Sequence, residues 1–284
     1  MNPGARMLVD LPKITFLPVD KLVIHERHDD QRTRPLVLRI RSSGVFRNPP
    51  IVAPLQDGSG RYMVLDGANR TTALLEMGYP HALVQVVEPG DPGLSLQNWN
   101  HVVWEMNAER FLASIQDLPD IELVPTPDSE AEASLEGECS LVVIQDNRGG
   151  TFLACAEQQE LEFRVGLLNA IVDTYRESAR LDRTSIRRSQ PLRDIYPQFC
   201  GLVIFPSFEI EDLLRLAGAG LRLPSGITRF TISPRAMHLN YPLEALADSR
   251  PLEEKNAELK RWTLERLARK GVRYYAETTF LFDE

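Results

Sequence analysis

The chain has 284 residues, of which 43% are hydrophobic and 25% are charged. This mixture is typical of a globular protein and excludes a chain that is disordered throughout. Acidic residues outnumber basic residues by 40 to 32, which gives a formal net charge of -8. A protein of that charge has no overall field that would attract nucleic acid, so the balance favours a small-molecule substrate.

The three cysteines, Cys139, Cys155 and Cys200, lie far apart in the sequence. They form no CxxC pair and have no histidine cluster nearby, so we expect reduced thiols and neither a disulfide framework nor a zinc site. The N-terminus lacks the basic and apolar regions of a signal peptide, and no stretch approaches the roughly 18 apolar residues that span a bilayer. We therefore expect a cytoplasmic protein without a membrane partner.

The first 90 residues alternate short apolar runs with turns, which is typical of a small α+β unit. Four strands are predicted in this region, at 22–25, 51–54, 62–65 and 83–87. A helix is predicted at 69–77, and Gly78 ends it. The following segment, 88–93, is rich in proline and glycine and predicts a linker. We therefore divide the chain near residue 92, into domains 1–92 and 93–284.

The second part of the chain is also predicted to be α+β. Residues 98–116 can form a helix, and segment 117–138 holds eight acidic residues and no basic residue, which indicates a peripheral loop. A hairpin is predicted where 141–144 and 152–155 flank a glycine turn. The apolar spacing in 157–180 predicts a helix that packs on a sheet. Further along, a helix at 251–270 and a final strand at 272–281 are predicted.

The sharpest local feature is the run from 64 to 74, Val-Leu-Asp-Gly-Ala-Asn-Arg-Thr-Thr-Ala-Leu. An apolar strand here passes through a glycine turn directly into a helix, so free backbone N–H groups and the positive end of the helix dipole meet at one point. That arrangement suits a phosphate, because Gly67 permits close approach and Arg70 and Thr71 can add donors. An ordinary strand-turn-helix junction with a solvated Arg70 explains the same string equally well.

A longer pattern surrounds this run. His25-Glu26 follows a strand, Arg34 comes next, a Pro-Pro-Ile-Val strand begins at Pro49, and Leu-Asp-Gly-x-x-Arg then opens a helix. Over residues 17–90 this order resembles the ParB/sulfiredoxin superfamily and, more narrowly, the free L-serine kinases, which include archaeal and staphylococcal enzymes. The resemblance resumes in the C-terminal part, at Leu-Pro-Ser-Gly-Ile-Thr-Arg-Phe (223–230), Pro234-Arg235 and Leu-Asn-Tyr-Pro-Leu (239–243).

The resemblance implies a ParB/sulfiredoxin-like N-terminal domain, a second α+β domain, and an active site in the cleft between them. It implies a kinase that transfers a phosphoryl group from ATP or ADP, with Mg2+, to the hydroxyl of a free amino acid. L-serine would be the substrate and O-phospho-L-serine the product. We expect no nucleic-acid partner, and a homodimer stays open.

The resemblance also implies roles for individual residues. Glu26 would be the general base that takes the proton from the substrate hydroxyl, and Asp66 would orient the substrate or bind the magnesium ion. The nucleotide phosphates would lie on the glycine turn and the first helical turns, at Gly67, Ala68, Asn69, Arg70, Thr71 and Thr72. The amino acid or the transferred phosphoryl group would contact residues from both parts of the chain, namely Arg34, Trp99, His101, Thr228 and Arg229.

The chain departs from the kinase pattern at four positions. Ala68 and Asn69 replace two histidines, His101 replaces a lysine, and Phe230 replaces a histidine. A different hydroxy-amino acid, or a loss of catalysis, therefore stays open. Sulfiredoxin chemistry is excluded, because Ala68 occupies the position of the attacking cysteine in that enzyme.

Each candidate site residue also has a structural interpretation. Glu26 could pair with a neighbouring arginine, and Asp66 could cap the helix that follows it. Trp99 could belong to the core, and Arg229 could form a cross-strand ion pair.

The rival function is a ParB-like nucleotide-binding regulator or DNA-associated protein without kinase activity. It would need a helix-turn-helix with a basic face, for which the stretch 180–193 is the one basic candidate. No pair of short helices is predicted around that stretch, which we interpret as a solvated helix end or a nucleotide-facing loop.

Overall fold

A computed structural model describes residues 11–27 and 30–275 of the protein. In chain order its elements are β1 (Ile14–Pro18), a 3-10 turn (Val19–Lys21), β2 (Leu22–Ile24), α1 (Asp30–Ser43), β3 (Val45–Phe46), β4 (Ile51–Pro54), β5 (Tyr62–Asp66), α2 (Ala68–Glu76), β6 (His81–Val86), β7 (Leu94–Asn98), β8 (Asn100–Trp104), α3 (Ala108–Gln116), β9 (Glu122–Pro125), α4 (Ala131–Ser134), β10 (Ser140–Asp146), β11 (Thr151–Cys155), α5 (Leu161–Arg176), β12 (Arg180–Thr184), α6 (Gln190–Arg193), β13 (Phe199–Ile204), α7 (Ile210–Gly218), β14 (Thr228–Ile232), β15 (Tyr241–Pro242), α8 (Glu244–Ala247) and α9 (Leu252–Ala268). The predicted α+β class is confirmed.

The first sheet has the strand order β1-β6-β4-β5-β2 and is covered on both faces. Successive side chains of a strand point to opposite faces, and β5 shows the result. Val64 belongs to the apolar core around Phe16, whereas Met63 and Leu65 belong to the larger core shared with the second sheet. Burial on both faces explains why this strand reads as a continuous apolar run.

The chain returns to the first sheet near its C-terminal end. β15 pairs with β3, and α9 packs against β1, where the Asn256 side chain accepts a hydrogen bond from Phe16 N at 2.7 Å. Leu259 of the same helix lies in the first core. Residues after 240 thus complete the N-terminal unit, and the division of the chain at residue 92 stays a prediction.

The second sheet is antiparallel, with the order β12-β8-β13-β10-β11-β9. The predicted hairpin is confirmed, because β10 pairs with β11, and the predicted helix at 157–180 is present as α5. At one end of the hairpin Cys139 and Cys155 meet, with 2.7 Å between their sulfurs, although they are distant in sequence.

The prediction of one helix over 98–116 is wrong in its first half. β8 occupies Asn100–Trp104 and lies between β12 and β13. Val102 and Val103 are both fully buried there, on opposite faces of the sheet. The helix begins only after Asn107, whose side chain accepts a hydrogen bond from Arg110 N at 2.9 Å and caps it.

The acidic segment 117–138 is more ordered than the predicted loop. β9 lies within it and pairs with β11 at the edge of the second sheet. Ala131 and Leu135 are buried against the same sheet. The acidic side chains are mostly exposed around these two elements.

The predicted C-terminal helix is present as α9, but residues 271–275 form no strand. The rest of the strand predicted at 272–281 lies outside the described residues. Within the described residues, no helix combines the length and the apolar character needed to cross a bilayer.

A two-stranded ribbon of β7 and β14 carries the turn 223–227 to the end of β2. There the Leu223 backbone donates to His25 O and accepts from Arg27 N, each at 2.8 Å. Residues that are about 200 positions apart in sequence therefore meet at one edge of the first sheet.

Candidate active site

A cavity of about 850 Å³ lies where the first sheet, α1, α2 and the ribbon meet. Its lining contains six arginines and two acidic residues, namely Arg27, Arg39, Arg47, Arg70, Arg183, Arg229, Glu26 and Asp66. An excess of guanidinium groups, which bind phosphate oxygens through paired N–H donors, suits a polyanionic ligand. The excess of positive charge in the cavity therefore suits a nucleoside triphosphate.

Glu26 is held in place by the turn that follows Leu223. Its Oε2 accepts from Gly226 N at 2.6 Å, and its Oε1 accepts from Ile227 N at 3.1 Å and Thr228 N at 2.7 Å. The Thr228 hydroxyl adds a fourth contact to Oε1 at 2.6 Å. These donors fix the carboxylate at the cavity wall, so the alternative of an ion pair with a neighbouring arginine is not what the structure shows.

His25 lies directly behind Glu26 and is buried. Its Nδ1 is 2.8 Å from Val64 O, and its Nε2 is 2.9 Å from the Thr228 hydroxyl. The edge of the Phe230 ring covers it, at 5.6 Å between ring centroids. Burial lowers the pKa of His25, against the opposing effects of the Glu26 charge and of the hydrogen bond to the Val64 carbonyl.

The strand-turn-helix junction has the form that the sequence predicts. Gly67 adopts a left-handed φ of 92° and a Cβ there would lie 3.0 Å from Pro50 Cα, so the position requires glycine. Thr71 N is already bonded to Gly67 O at 2.9 Å, which leaves the amides before it for a ligand. Gly67, Ala68, Asn69 and Arg70 line the cavity.

Thr71 and Thr72 lie deeper in the molecule. Both are buried, and the Thr72 hydroxyl donates to Ala68 O at 3.0 Å within the helix. Neither residue lies in the cavity lining. Of the six residues expected at the phosphates, the structure therefore places 67–70 in the cavity lining and 71–72 outside it.

Asp66 is clamped between two arginines. Its Oδ2 accepts from Arg70 at 3.0 Å and from Arg235. The helix N-cap is Gly67, without a side-chain hydrogen bond, so Asp66 does not cap the helix. Arg70 is accordingly an ion-pair partner at the cavity wall, and the alternative of a freely solvated arginine is not observed.

Trp99 and Arg229 form a second wall of the cavity. The Arg229 guanidinium stacks over the Trp99 ring, 4.4 Å from its centroid, which fixes the orientation of both groups. Trp99 is half-buried, and the cross-strand neighbour of Arg229 is Gln97, so neither the core tryptophan nor the cross-strand ion pair is observed.

Two of the residues expected at the substrate lie outside the cavity lining. His101 is fully buried in β8, with Nδ1 3.0 Å from the Tyr175 hydroxyl. Burial, together with the nearby Arg183 charge, lowers the pKa of His101 to about 3, against the raising effect of the Gly226 and Ser225 carbonyls. Arg34 is exposed on α1 and lies outside the cavity lining. The structure therefore places His101 under the turn that holds Glu26 and leaves Arg34 at the surface.

The structure also brings arginines to the site that were not predicted there. Arg39 comes from α1, and Arg183 comes from β12. The Arg183 guanidinium packs so closely on the turn that a Cβ at Gly226 would lie 2.1 Å from it. The sequence signal was the basic stretch 180–193, one interpretation of which was a nucleotide-facing loop.

No protein-family model matches the chain. It is 25% identical to the ATP-dependent L-serine kinase SbnI of Staphylococcus aureus over 283 residues, which cover 95% of this chain and 97% of that protein. The chain resembles the free L-serine kinases over nearly its whole length. It is also 33% identical over 109 residues to the ATP-dependent L-serine kinase of Staphylothermus marinus, although that match covers 35% of this chain and 42% of the relative.

Solved structures show the same fold. SbnI with a C-terminal truncation superposes with a TM-score of 0.71 at 22% identity, over 96% of this chain and 100% of that one. A free serine kinase in complex with AMP gives 0.68 at 16% identity, over 83% of this chain and 94% of that one. The resemblance stated from the sequence motifs is thus confirmed, together with the fold that it implies.

Proposed function

We propose that the protein is an L-serine kinase, which transfers a phosphoryl group from a nucleotide to the serine hydroxyl and releases O-phospho-L-serine. The observation that carries this proposal is the Glu26 carboxylate, fixed by four donors at the wall of an arginine-lined cavity. The names of the relatives in Staphylococcus aureus and Staphylothermus marinus support the same activity. They also favour ATP over ADP as the donor.

The nucleotide phosphates lie against the junction at residues 67–70. Three backbone amides before Thr71 and the positive end of the α2 dipole supply donors there, and Arg70 adds a guanidinium. The cavity lining also contains the apolar side chains of Leu36, Ile40 and Phe46. Such a surface suits the flat face of a nucleotide base.

The amino acid lies between Glu26 and the Trp99-Arg229 pair. Arg229 presents a planar cation to the serine carboxylate, and the stacked Trp99 holds that cation in one orientation. Glu26 takes the hydroxyl proton as the serine oxygen attacks the terminal phosphorus. The cavity arginines neutralise the charge that develops on the phosphoryl oxygens, which is most of what this reaction demands of a protein.

Magnesium fits the site through Asp66. Mg2+ in phosphoryl-transfer sites is usually held by one or two carboxylates together with the substrate phosphates, and both arginines contact only Oδ2 of Asp66. Among the described residues there is no group of three acidic, histidine or cysteine side chains that could hold a metal by itself. The ion, when bound with the nucleotide, supplies charge neutralisation at the phosphates.

Phosphorus NMR of the protein with Mg2+, L-serine and either ATP or ADP tests the proposal. A new phosphomonoester signal that requires both serine and nucleotide is the expected result, and parallel samples with L-threonine and L-homoserine define the substrate. Nucleotide binding without transfer to any hydroxy-amino acid would overturn the kinase and favour the regulator, for which salt-dependent retention of DNA is the further sign. Light scattering on the same sample determines whether the protein is a monomer or a homodimer, which the sequence leaves open.

A further inference from the structure

A continuous chain of polar groups runs from Glu26 into the core of the first sheet. Glu26 Oε1 lies 2.6 Å from the Thr228 hydroxyl, that hydroxyl lies 2.9 Å from His25 Nε2, and His25 Nδ1 lies 2.8 Å from Val64 O. The histidine is buried, whereas Glu26 and Thr228 are partly exposed at the cavity. The chain therefore leads from partly exposed groups at the cavity wall to a buried imidazole.

The number of protons in this chain can be counted. Val64 O is only an acceptor, so His25 Nδ1 must carry a proton. The Thr228 hydroxyl has a single proton and two neighbouring acceptors, Glu26 Oε1 and His25 Nε2. When the glutamate is ionised and the histidine is neutral, the hydroxyl can donate to only one of these two acceptors. At the other contact two lone pairs face each other, and no hydrogen bond forms. One additional proton makes every contact in the chain a hydrogen bond.

We propose that Thr228 and His25 are positioning residues that hold the proton which Glu26 takes from the substrate hydroxyl. This inference rests on the proposed kinase function with Glu26 as the base. The serine O–H bond breaks, its electron pair forms the bond to phosphorus, and the phosphorus bond to the leaving nucleotide oxygen breaks. The proton forms a new O–H bond at Glu26 Oε1, which donates to Thr228. The Thr228 hydroxyl turns and donates to His25 Nε2.

The surroundings of His25 favour its neutral form before the reaction. The site is desolvated, and burial lowers the pKa of the imidazole. The ring of Phe230 packs against it in an edge-to-face arrangement. At this position the kinase pattern has a histidine, so the substitution removes a second titratable group from beside the chain. The proton accepted by Glu26 is thus stabilised by a single hydrogen-bonded chain, which runs through Thr228 and His25 to Val64 O.

Other charged groups near the chain are held by contacts of their own. Arg27 pairs with Asp173 at 2.7 Å, Arg183 packs on the turn at Gly226, and Arg229 stacks on Trp99. None of these contacts uses the Thr228 side chain.

Two variants separate proton holding from a simple role in substrate binding. Thr228→Val keeps the shape of the side chain and removes the hydroxyl, and the rate of a single turnover should fall about 10- to 100-fold, within the range of general acid–base effects, with KM for serine nearly unchanged. Thr228→Ser should restore most of the rate. A rise in KM at an unchanged rate would overturn the proposal, because it would make Thr228 a substrate ligand.

Nitrogen NMR of the imidazole gives a readout that does not depend on turnover. At neutral pH the His25 signals, assigned with a His25→Asn variant, should show a neutral ring with the proton on Nδ1. A ring with the proton on Nε2 alone would overturn the chain whatever the activity. If the native protein transfers no phosphate but shows the predicted tautomer, the kinase function fails and the hydrogen-bond geometry stands.

Discussion

Replacing Gly226 by alanine should damage the site far more than its change in volume suggests. Gly226 has a left-handed φ of 78°, and a Cβ there would lie 2.1 Å from the Nε and Nη2 atoms of Arg183. Its N–H donates to Glu26 Oε2 at 2.6 Å. The substitution should therefore strain the backbone, displace a cavity arginine and move a donor away from the Glu26 carboxylate.

The substitution should change two quantities, the free energy of unfolding and kcat/KM. The left-handed conformation costs a residue with a Cβ about 1–2 kcal/mol, and that cost appears in the free energy of unfolding. A hydrogen bond to a charged group contributes about 1.5–3 kcal/mol, so misplacing the Gly226 donor should lower kcat/KM by about 10- to 150-fold.

Gly220→Ala is the matched control. Gly220 has nearly the same φ, 76°, but a Cβ there meets nothing within 4 Å. Denaturant unfolding should show a similar backbone cost in both variants, whereas only Gly226→Ala should lose phosphoryl transfer. Equal transfer rates in the two variants would refute the inference that the turn holds Glu26 in its working position.

Three further changes test other parts of the site and fold. Gly67→Ala should weaken nucleotide binding at least about tenfold, because a Cβ there would meet a backbone atom at 3.0 Å. Gly78→Ala is the control, because this residue lies at the other end of the same helix, where a Cβ would meet open space. Equal nucleotide affinities of the two variants, measured by calorimetry, would count against a phosphate site at residues 67–70. Trp99→Ala should raise KM for serine about tenfold, because the Arg229 guanidinium loses a cation–π interaction worth about 0.5–2 kcal/mol. An unchanged KM would mean that serine does not bind beside Arg229. Lys255→Met should lower the free energy of unfolding by about 1–3 kcal/mol, because the buried ammonium donates to two backbone carbonyls. Lys260→Met, at an exposed position of the same helix, is the control. Equal losses in urea unfolding would contradict a stabilising role for the buried Lys255 ammonium.

The local features of the site were readable because each one is contained in a short stretch of sequence. The junction at 64–74 shows its strand, glycine turn and helix in eleven consecutive residues, and the structure has all three. Glu26 and Arg229 were singled out by motif context, and both line the cavity.

The long-range partners were not readable. Glu26 and Thr228 are separated by 202 positions, and their contact depends on how the ribbon of β7 and β14 meets β2. The packing of Arg183 on Gly226 is another contact of this kind. Sequence periodicity carries no information about such pairs, which tertiary packing alone brings together.

The helix predicted over 98–116 was wrong in its first half for a local reason. Short apolar runs such as His-Val-Val-Trp fit a buried strand and a helix equally well, because four residues are too few to distinguish the side-chain period of a helix from that of a strand. Only the pairing of β8 with strands on both sides decides the matter. Likewise, composition alone made 117–138 a loop, whereas pairing with β11 provides hydrogen bonds for β9.

Phosphoryl transfer by the Glu26→Gln variant tests most directly whether this carboxylate is the base of an L-serine kinase. With Mg2+, nucleotide and L-serine, the native protein should form O-phospho-L-serine, and the variant should lose at least about a hundredfold in rate, as expected for removal of a general base. Nucleotide affinity should stay within a few-fold of native, because the proposed phosphate site is formed by residues 67–70 and not by Glu26. A variant that phosphorylates serine at the native rate would contradict the assignment of Glu26, and a native protein that binds nucleotide but forms no product would contradict the kinase.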